Sequence, residues 1–336
     1  MKDSVSLHML NVGYGDAFLF KGAGGTCLLD AGGNLPEEFT GDSGRMRVCD
    51  WFAEQDIKHI DHLIISHIHE DHLGGLLPLL EQVTVTHVWT PFPVEAFAEV
   101  AVCLPSHVFL PKNVELFVSS LEDYLVLLEY FEFEGTQVHQ LRQGDVHMIG
   151  DLNIEVLSPA PTVVAKFLNL IEELSLWTDE ENDQAVERQI ALLDHLDKLS
   201  NGTSFILKIS FASFVGLFCA DNTPQNWQRT AAVKEALIDV NVLKLPHHGQ
   251  IDSIDPFFME DMPLRLCLTT SSSTCKYNSA APIVYEQLKH WAENDGRDLL
   301  CLFSDPPRDH PFWQGPDRYA SIEISTDGTF TYQLNN

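Results

Sequence analysis

The chain has 336 residues, 45% of them hydrophobic, and 20 Lys+Arg against 49 Asp+Glu give 20 − 49 = −29 formal charges. That length and apolar content support a substantial buried core. The acidity repels polyanions, and no Lys/Arg cluster supplies a basic groove, so extended nucleic acid is disfavoured as a partner. No apolar run approaches the roughly 20 residues of a membrane span, and the opening MKDSVSLHML lacks the order of a secretory signal.

Seven cysteines (27, 49, 103, 219, 267, 275 and 301) show no CxxC spacing and sit largely in apolar runs. They read as buried free thiols in a reducing compartment, and the expected location is cytoplasmic.

In chain order, residues 4–11 read as a strand, and VGYGDA at 12–17 as a tight glycine turn. Residues 18–21 and 26–29 pair as a hairpin that ends at Asp30-Ala31-Gly32-Gly33. A helix at 48–55 places Trp51 and Phe52 on one face. The apolar run 63–65 is a buried strand, followed by a helix at 76–82 and a β-branched strand at 83–89. This alternation predicts a layered α/β fold. Residues 90–115, rich in Pro and apolar side chains, read as an irregular covering segment. A helix follows at 121–133. Strands at 137–141 and 152–157 flank a turn-rich connector, QGDVHMIGD. The acidic stretch 162–200 has helical period and reads as two helices split near 178–183, an amphipathic decoration or else a substrate lid or dimer arm. Then come a hairpin of 205–209 with 215–220, a helix at 225–237, strands at 241–245 and 264–269, a helix at 282–294, and strands at 299–303, 319–324 and 330–334.

The chemistry is concentrated at 61–75, DHLIISHIHEDHLGG. A buried strand stops at Ser66, and His67, His69, Asp71 and His72 follow within six positions. Imidazole and carboxylate suit zinc, manganese or iron. His67 and His69 alternate on extended backbone and can face one way. The turn that follows can send Asp71 and His72 to a second point, so one loop can serve two metals. Two further strand ends carry donors: VGLFCAD stops at Asp221, and VLKLPHHG offers His247 and His248. A lone strand-end Asp is usually a turn residue. Three such ends in this order are more specific.

The runs NVGYGDAFLF, CLLDAGG, LIISHIHEDHLGG, NGTSFIL, CAD and VLKLPHHG resemble, in that order, the metallo-β-lactamase superfamily, and within it the ComEC-type competence domain. The resemblance implies an αββα sandwich over residues 1–336 as a single domain, with 162–200 as a helical insertion. It implies two divalent metal ions, zinc first and manganese or iron as alternatives. His67 and His69 would hold one ion, Asp71 and His72 the other, and Asp221 would bridge them. One of His247 and His248 would complete the donor set of the second ion. Asp16 and Asp30 would orient ligands. Many superfamily members place a further His after the strand matching 152–157, where this chain has SPAPT at 158–162. The His67/His69 metal is therefore expected to be the looser one.

The expected function is dinuclear metal-dependent hydrolysis by a metal-bound hydroxide, on a phosphodiester by preference. Asp71 and His248 are the candidate catalytic residues. Asp71 would orient the water, and the second His of the pair would protonate the leaving group or bind an anionic oxygen. The expected partner is a small anionic ester, met by Lys276, Arg265, Arg297 or Arg308. A lactone or other carboxylic ester is the alternative substrate, and a metal-binding protein without enzymatic activity the alternative class.

Overall fold

The computed structural model describes residues 4–22, 24–40, 44–101, 108–176, 183–305, 307, 309–312, 314–316, 318–327 and 329–335. Its first sheet has eight strands in the order β15-β14-β1-β2-β3-β4-β5-β6. They are β1 (Ser4–Leu10), β2 (Phe18–Gly22), β3 (Gly25–Leu29), β4 (His59–Ile64), β5 (Thr84–Thr90), β6 (Gln137–Gln140), β14 (Tyr319–Ser325) and β15 (Phe330–Asn335). The second sheet has seven, in the order β13-β12-β11-β10-β9-β8-β7. These are β7 (Val146–Ile149), β8 (Leu152–Ser158), β9 (Ile206–Phe211), β10 (Phe214–Phe218), β11 (Val242–Lys244), β12 (Leu266–Thr269) and β13 (Leu300–Phe303).

Alternation decides which side of each strand is buried. In β1, Val5, Leu7 and Met9 point between the sheets and pack with Phe18, Phe20, Ile154, Leu207 and Phe218. Phe218 meets Phe18 and Phe20 edge-on, with centroids 5.4 and 5.2 Å apart, an arrangement aromatic quadrupoles favour. The opposite face of the first sheet carries α1 (Val48–Glu54), α3 (Leu76–Leu80) and α4 (Lys112–Glu134). The second sheet is covered by α7 (Ala231–Ala236), α8 (Pro256–Met259) and α9 (Pro282–Asn294). Helix, sheet, sheet and helix thus stack as the αββα sandwich expected from the sequence.

In each sheet one run of strands is parallel, β3 to β6 in the first and β10 to β13 in the second. β3 pairs β4 with Leu28 beside Leu63, and β10 pairs β11 with Leu217 beside Leu243. Parallel strands end together, so the loops after β3, β4, β10, β11 and β12 open at one edge. Ligand sites in such folds collect at the carboxyl ends of the strands.

The insert is two helices, α5 (Pro161–Ser175) and α6 (Asp183–Thr203), while their junction at 177–182 lies outside the described residues. Phe167, Ile171, Leu192, Leu193 and Leu196 bury against the same apolar cluster as α4. Three elements differ most from expectation. α4 begins at Lys112, nine residues early, because Pro111 ends the irregular chain at its N-cap and Val114 and Phe117 already face the core. The connector QGDVHMIGD contains the edge strand β7, whose exposed Val146 and Met148 hid its alternation. The helix expected at 225–237 is only α7, since the Thr230 side chain caps the Val233 amide and starts the helix there. Cys27, Cys49, Cys219, Cys267 and Cys301 are buried free thiols and Cys275 is half-buried. Cys103 and Arg308 lie outside the described residues.

Candidate metal centre

The loop after β4 carries His67 and His69, then the single-turn helix α2 (Glu70–Leu73) carries Asp71 and His72. Gly75 lets this turn close on the loop after β3: a Cβ there would lie 2.1 Å from the Ala31 carbonyl oxygen. Gly15 serves the opening VGYGDA turn in the same way. Its φ is +143°, and a side chain would meet the Asp71 carbonyl oxygen at 2.3 Å. The Asp16 amide can therefore donate to that carbonyl at 3.1 Å, and the first turn of the chain seals the metal loop.

Two donor sets converge and share one residue. His67, His69 and Asp221 form the first; Asp71, His72, Asp221 and His248 form the second. In the second set His248 Nε2 lies 3.2 Å from Asp221 and 3.1 Å from Asp71, and His72 Nε2 lies 3.3 Å from Asp221. Yet His72 Nε2, His248 Nε2 and Asp221 Oδ1 are buried with no partner in hydrogen-bond geometry. Such atoms are costly to leave unmet. Donors that crowd without bonding to one another are aimed at a common point, which fits cations between them. In the first set His67 Nε2 and His69 Nδ1 are 3.1 Å apart. Two nitrogens on one tetrahedral zinc, each at roughly 2.0–2.1 Å, stand about 3.3 Å apart.

The Nδ1 atoms of His72 and His248 face a carboxylate and a carbonyl, groups that accept. His248 Nδ1 donates to the Thr270 carbonyl at 2.6 Å, and His72 Nδ1 to Asp30 Oδ2 at 2.8 Å. Both bonds fix the tautomer that leaves Nε2 toward the donor set. Asp30 is doubly used, since its Oδ1 takes the Ser66 amide at 2.8 Å. Asp16 lies deeper. It accepts from Thr270 Oγ1 and pairs with the buried ammonium of Lys244.

Charge follows this packing. Burial opposes ionisation at His72 and His248, but the surrounding carboxylates win. Asp221, Asp71 and Asp16 hold His72 well above the ordinary imidazole value, and Asp221 leads the groups that raise His248 to about 9. Asp221 and Asp71 are correspondingly depressed against their own burial, Asp221 by His248 and His72, Asp71 by His72 and His248. His67 is driven well down by burial, then by the charges of His72 and His69. Burial raises Glu70 to about 7; its Oε1 accepts the Asn34 and Leu35 amides and ties the loop after β3 to α2.

The placement of the sequence candidates is uneven. His67, His69, Asp71, His72, Asp221 and His248 come together; His247 does not. Its Nδ1 faces Asp252 at 3.2 Å, and its Nε2 lies near Gln250 and Asn201 at 3.1 and 3.4 Å. His247 and His248 are consecutive left-handed residues, φ +48° and +53°, so their side chains diverge. His248 thus stands within the donor set and His247 outside it. At the start of the turn 158–162, Ser158 Oγ accepts from Asn222, the neighbour of Asp221, at 3.0 Å. Arg265 lies over the Phe330 ring and Arg297 bonds Asp295 and the Leu264 carbonyl, away from the cavity.

A cavity of about 440 Å³ opens over the centre. It is lined by Tyr14, Lys112, Phe117, Lys276 and Tyr277, with Asp197 and Asn201 from α6. Of these, only Lys276 was singled out in the sequence. Tyr14 carried a signal, its place in the glycine turn; the others lie on helices or loops whose pattern says only amphipathic or irregular.

A family model described as the metallo-beta-lactamase superfamily matches residues 10–143. Over those residues the chain is thus similar to that superfamily, in line with the resemblance of its motifs. Among curated proteins it is similar to the ComEC-type ComE operon protein 3 of Bacillus subtilis, 23% identical over 282 residues, 80% of this chain and 29% of that protein. It also matches the uncharacterized protein YcaI of Escherichia coli, 36% identical over 87 residues, 26% of this chain and 10% of YcaI. The chain therefore spans less than a third of the length of either relative. Similar solved structures include CmlA, a diiron β-hydroxylase from Streptomyces venezuelae, at 14% identity and TM-score 0.46, covering 89% of this chain and 52% of that one. Another is the metallo-β-lactamase fold protein YhfI from Bacillus subtilis, at 12% and 0.39, covering 80% and 85%.

Proposed function

We propose that the chain is a dinuclear metal-dependent hydrolase acting on a small phosphodiester. One observation carries this reading: two donor sets share Asp221 and leave buried nitrogen and oxygen atoms without partners. His67 and His69 would hold one cation, Asp71, His72 and His248 the other, and Asp221 both. Bound there, two divalent cations, zinc first, would supply Lewis acidity and an activated water at neutral pH, a pairing suited to in-line displacement at phosphorus.

The protein's own groups do the rest. Asp71 is 17% exposed on the cavity side and is placed to accept a proton from the attacking water. His247 lies beside the cavity with Asp252 behind it, a pair that can pass a proton to the leaving oxygen. Lys276 stands at the rim over the Tyr14 and Tyr277 rings, 5.5 and 5.4 Å from their centroids, and is tied to Glu38 at 2.7 Å. With Lys112 it offers an anionic ester two cations, enough for one phosphate and too few for a polymer track.

The test is metal analysis of the purified protein, then assay of bis-p-nitrophenyl phosphate and a lactone with zinc, manganese or iron added. Diester turnover that is lost in Asp221→Ala supports the reading. Turnover of the lactone alone moves the assignment to carboxylic esters, and a metal-loaded protein that turns over neither refutes hydrolysis.

A further inference from the structure

The insert is part of the centre rather than a decoration beside it. α5 and α6 lie outside residues 10–143, where the family model matches. α6 nevertheless reaches the metal loop. Ser200 Oγ donates to the Ile68 carbonyl at 3.1 Å, so the helix is pinned to the residue between His67 and His69. One turn earlier Asp197 Oδ1 lies 3.2 Å from His69 Nε2. Its other oxygen accepts from Asn113 of α4 at 2.9 Å. Phe117 of α4 meets the His69 ring edge-on at 6.1 Å and 86°. His69 Nε2 is buried and has no partner in hydrogen-bond geometry, and Asp197 is the acceptor that a small turn of either side chain brings into line.

We propose that Asp197 is a positioning residue for His69: it accepts a hydrogen bond from Nε2–H and thereby turns the Nδ1 lone pair toward His67 and Asp221. The inference rests on the metal reading above. An imidazole carries one proton between two nitrogens when neutral, and the group facing one nitrogen decides what the other can do. For His72 and His248 that choice is made by Asp30 and the Thr270 carbonyl. His69 has no such partner in its own loop, and Asp197 fills the same office from a helix 128 positions on. The need is greatest here. The His67/His69 set has three donors against four for the other, because the turn at 158–162 brings no histidine. A set short of one donor depends most on the orientation of those it has. If Asp197 served only to tie α6 to α4, its bond to Asn113 would suffice, and the state of His69 would not follow it.

The first measurement uses the unaltered, metal-free protein in mildly alkaline buffer. Long-range ¹H–¹⁵N spectra of labelled histidine should show His69 as the Nε2–H tautomer. The second is zinc titration by calorimetry, with cobalt absorption as the signature of the His67/His69 position. Asp197→Asn should weaken that position about 10- to 100-fold, as loss of a carboxylate behind a ligating histidine does, and leave the other within about 2-fold. Asp194→Asn is the control. It sits on the same helix and also accepts from Asn113, at 3.2 Å, so it tests the tether without the histidine. An Nδ1–H tautomer in the unaltered protein overturns the proposal even if the variant fails to fold. Equal affinities in Asp197→Asn, Asp194→Asn and wild type overturn it while the metal reading stands. A wild type that takes up no metal overturns that reading and this inference with it.

Discussion

Replacing Lys244 by methionine should expose how the centre is held up. Lys244 ends β11, is fully buried, pairs with Asp16 and donates to the Ala220 carbonyl at 2.9 Å. Methionine keeps most of the apolar stem and removes the charge. Asp16, 1% exposed, would keep its bond from Thr270 but lose its cation. Breaking one side of a buried pair costs about 3–5 kcal/mol, chiefly because a charge is left stranded. The value here belongs at the low end, about 3 kcal/mol. His248 Nδ1 and His72 Nδ1, 3.6 and 3.9 Å from the Asp16 carboxylate, can take up part of its charge. Urea unfolding of the chelator-treated protein measures the loss. The double variant Asp16→Asn/Lys244→Met should recover at least about half of it, since it strands no charge. A single variant within about 0.5 kcal/mol of wild type, or strictly additive costs in the cycle, would refute the reasoning.

Further outcomes follow from the same geometry. Zinc at about 100 times its dissociation constant should stabilise the fold by roughly 2.7 kcal/mol per occupied position; Asp221→Ala, which removes the shared donor, should abolish the rise in melting temperature at both. A mild chelator should strip metal in two stages, with activity falling in the first; a single stage at equal affinity contradicts the looser His67/His69 position. Burial, then the charge of Lys21, depresses His8 from 6.5 to about 4. Its neutral form stabilises the fold fully above pH 6.5, and that contribution is lost as pH falls toward 4, at most about 3 kcal/mol by linkage; His8→Gln should flatten that limb of the stability curve. Duplex DNA should be cleaved far more slowly than a small diester, and equal rates with a steep salt dependence of binding would reveal a basic groove.

The legible parts of this molecule are those where backbone and chemistry coincide. β4 was read from Leu63, Ile64 and Ile65, and its end was marked by four donor residues in a row of six. Asp221 and His248 were found in the same way, as polar residues that stop apolar strands. Parallel strands must end at one edge, so the convergence of these three ends followed from order alone. The choice between His247 and His248 did not. It depends on two successive left-handed backbone conformations, which no periodicity announces.

What stayed hidden is more instructive about an acidic chain. With 49 Asp and Glu, a carboxylate on a helix is ordinarily a solvated one. α6 showed an apolar stripe, Leu192, Leu193 and Leu196, and polar residues elsewhere. Asp197 and Asn201, four apart on one face, looked like its neighbours Asp194 and Lys198. What singles them out is the partner each meets, His69 and His247, brought there by the docking of α6 against α4 and the Ser200 bond to Ile68. Lys112 was obscured for the same reason, an isolated cation in a surplus of negative charge, and the cavity alone brings it together with Lys276. The few groups that face a ligand were set by tertiary contacts across 80 or more residues, such as Asn113 with Asp197, and those contacts leave no local trace in the sequence.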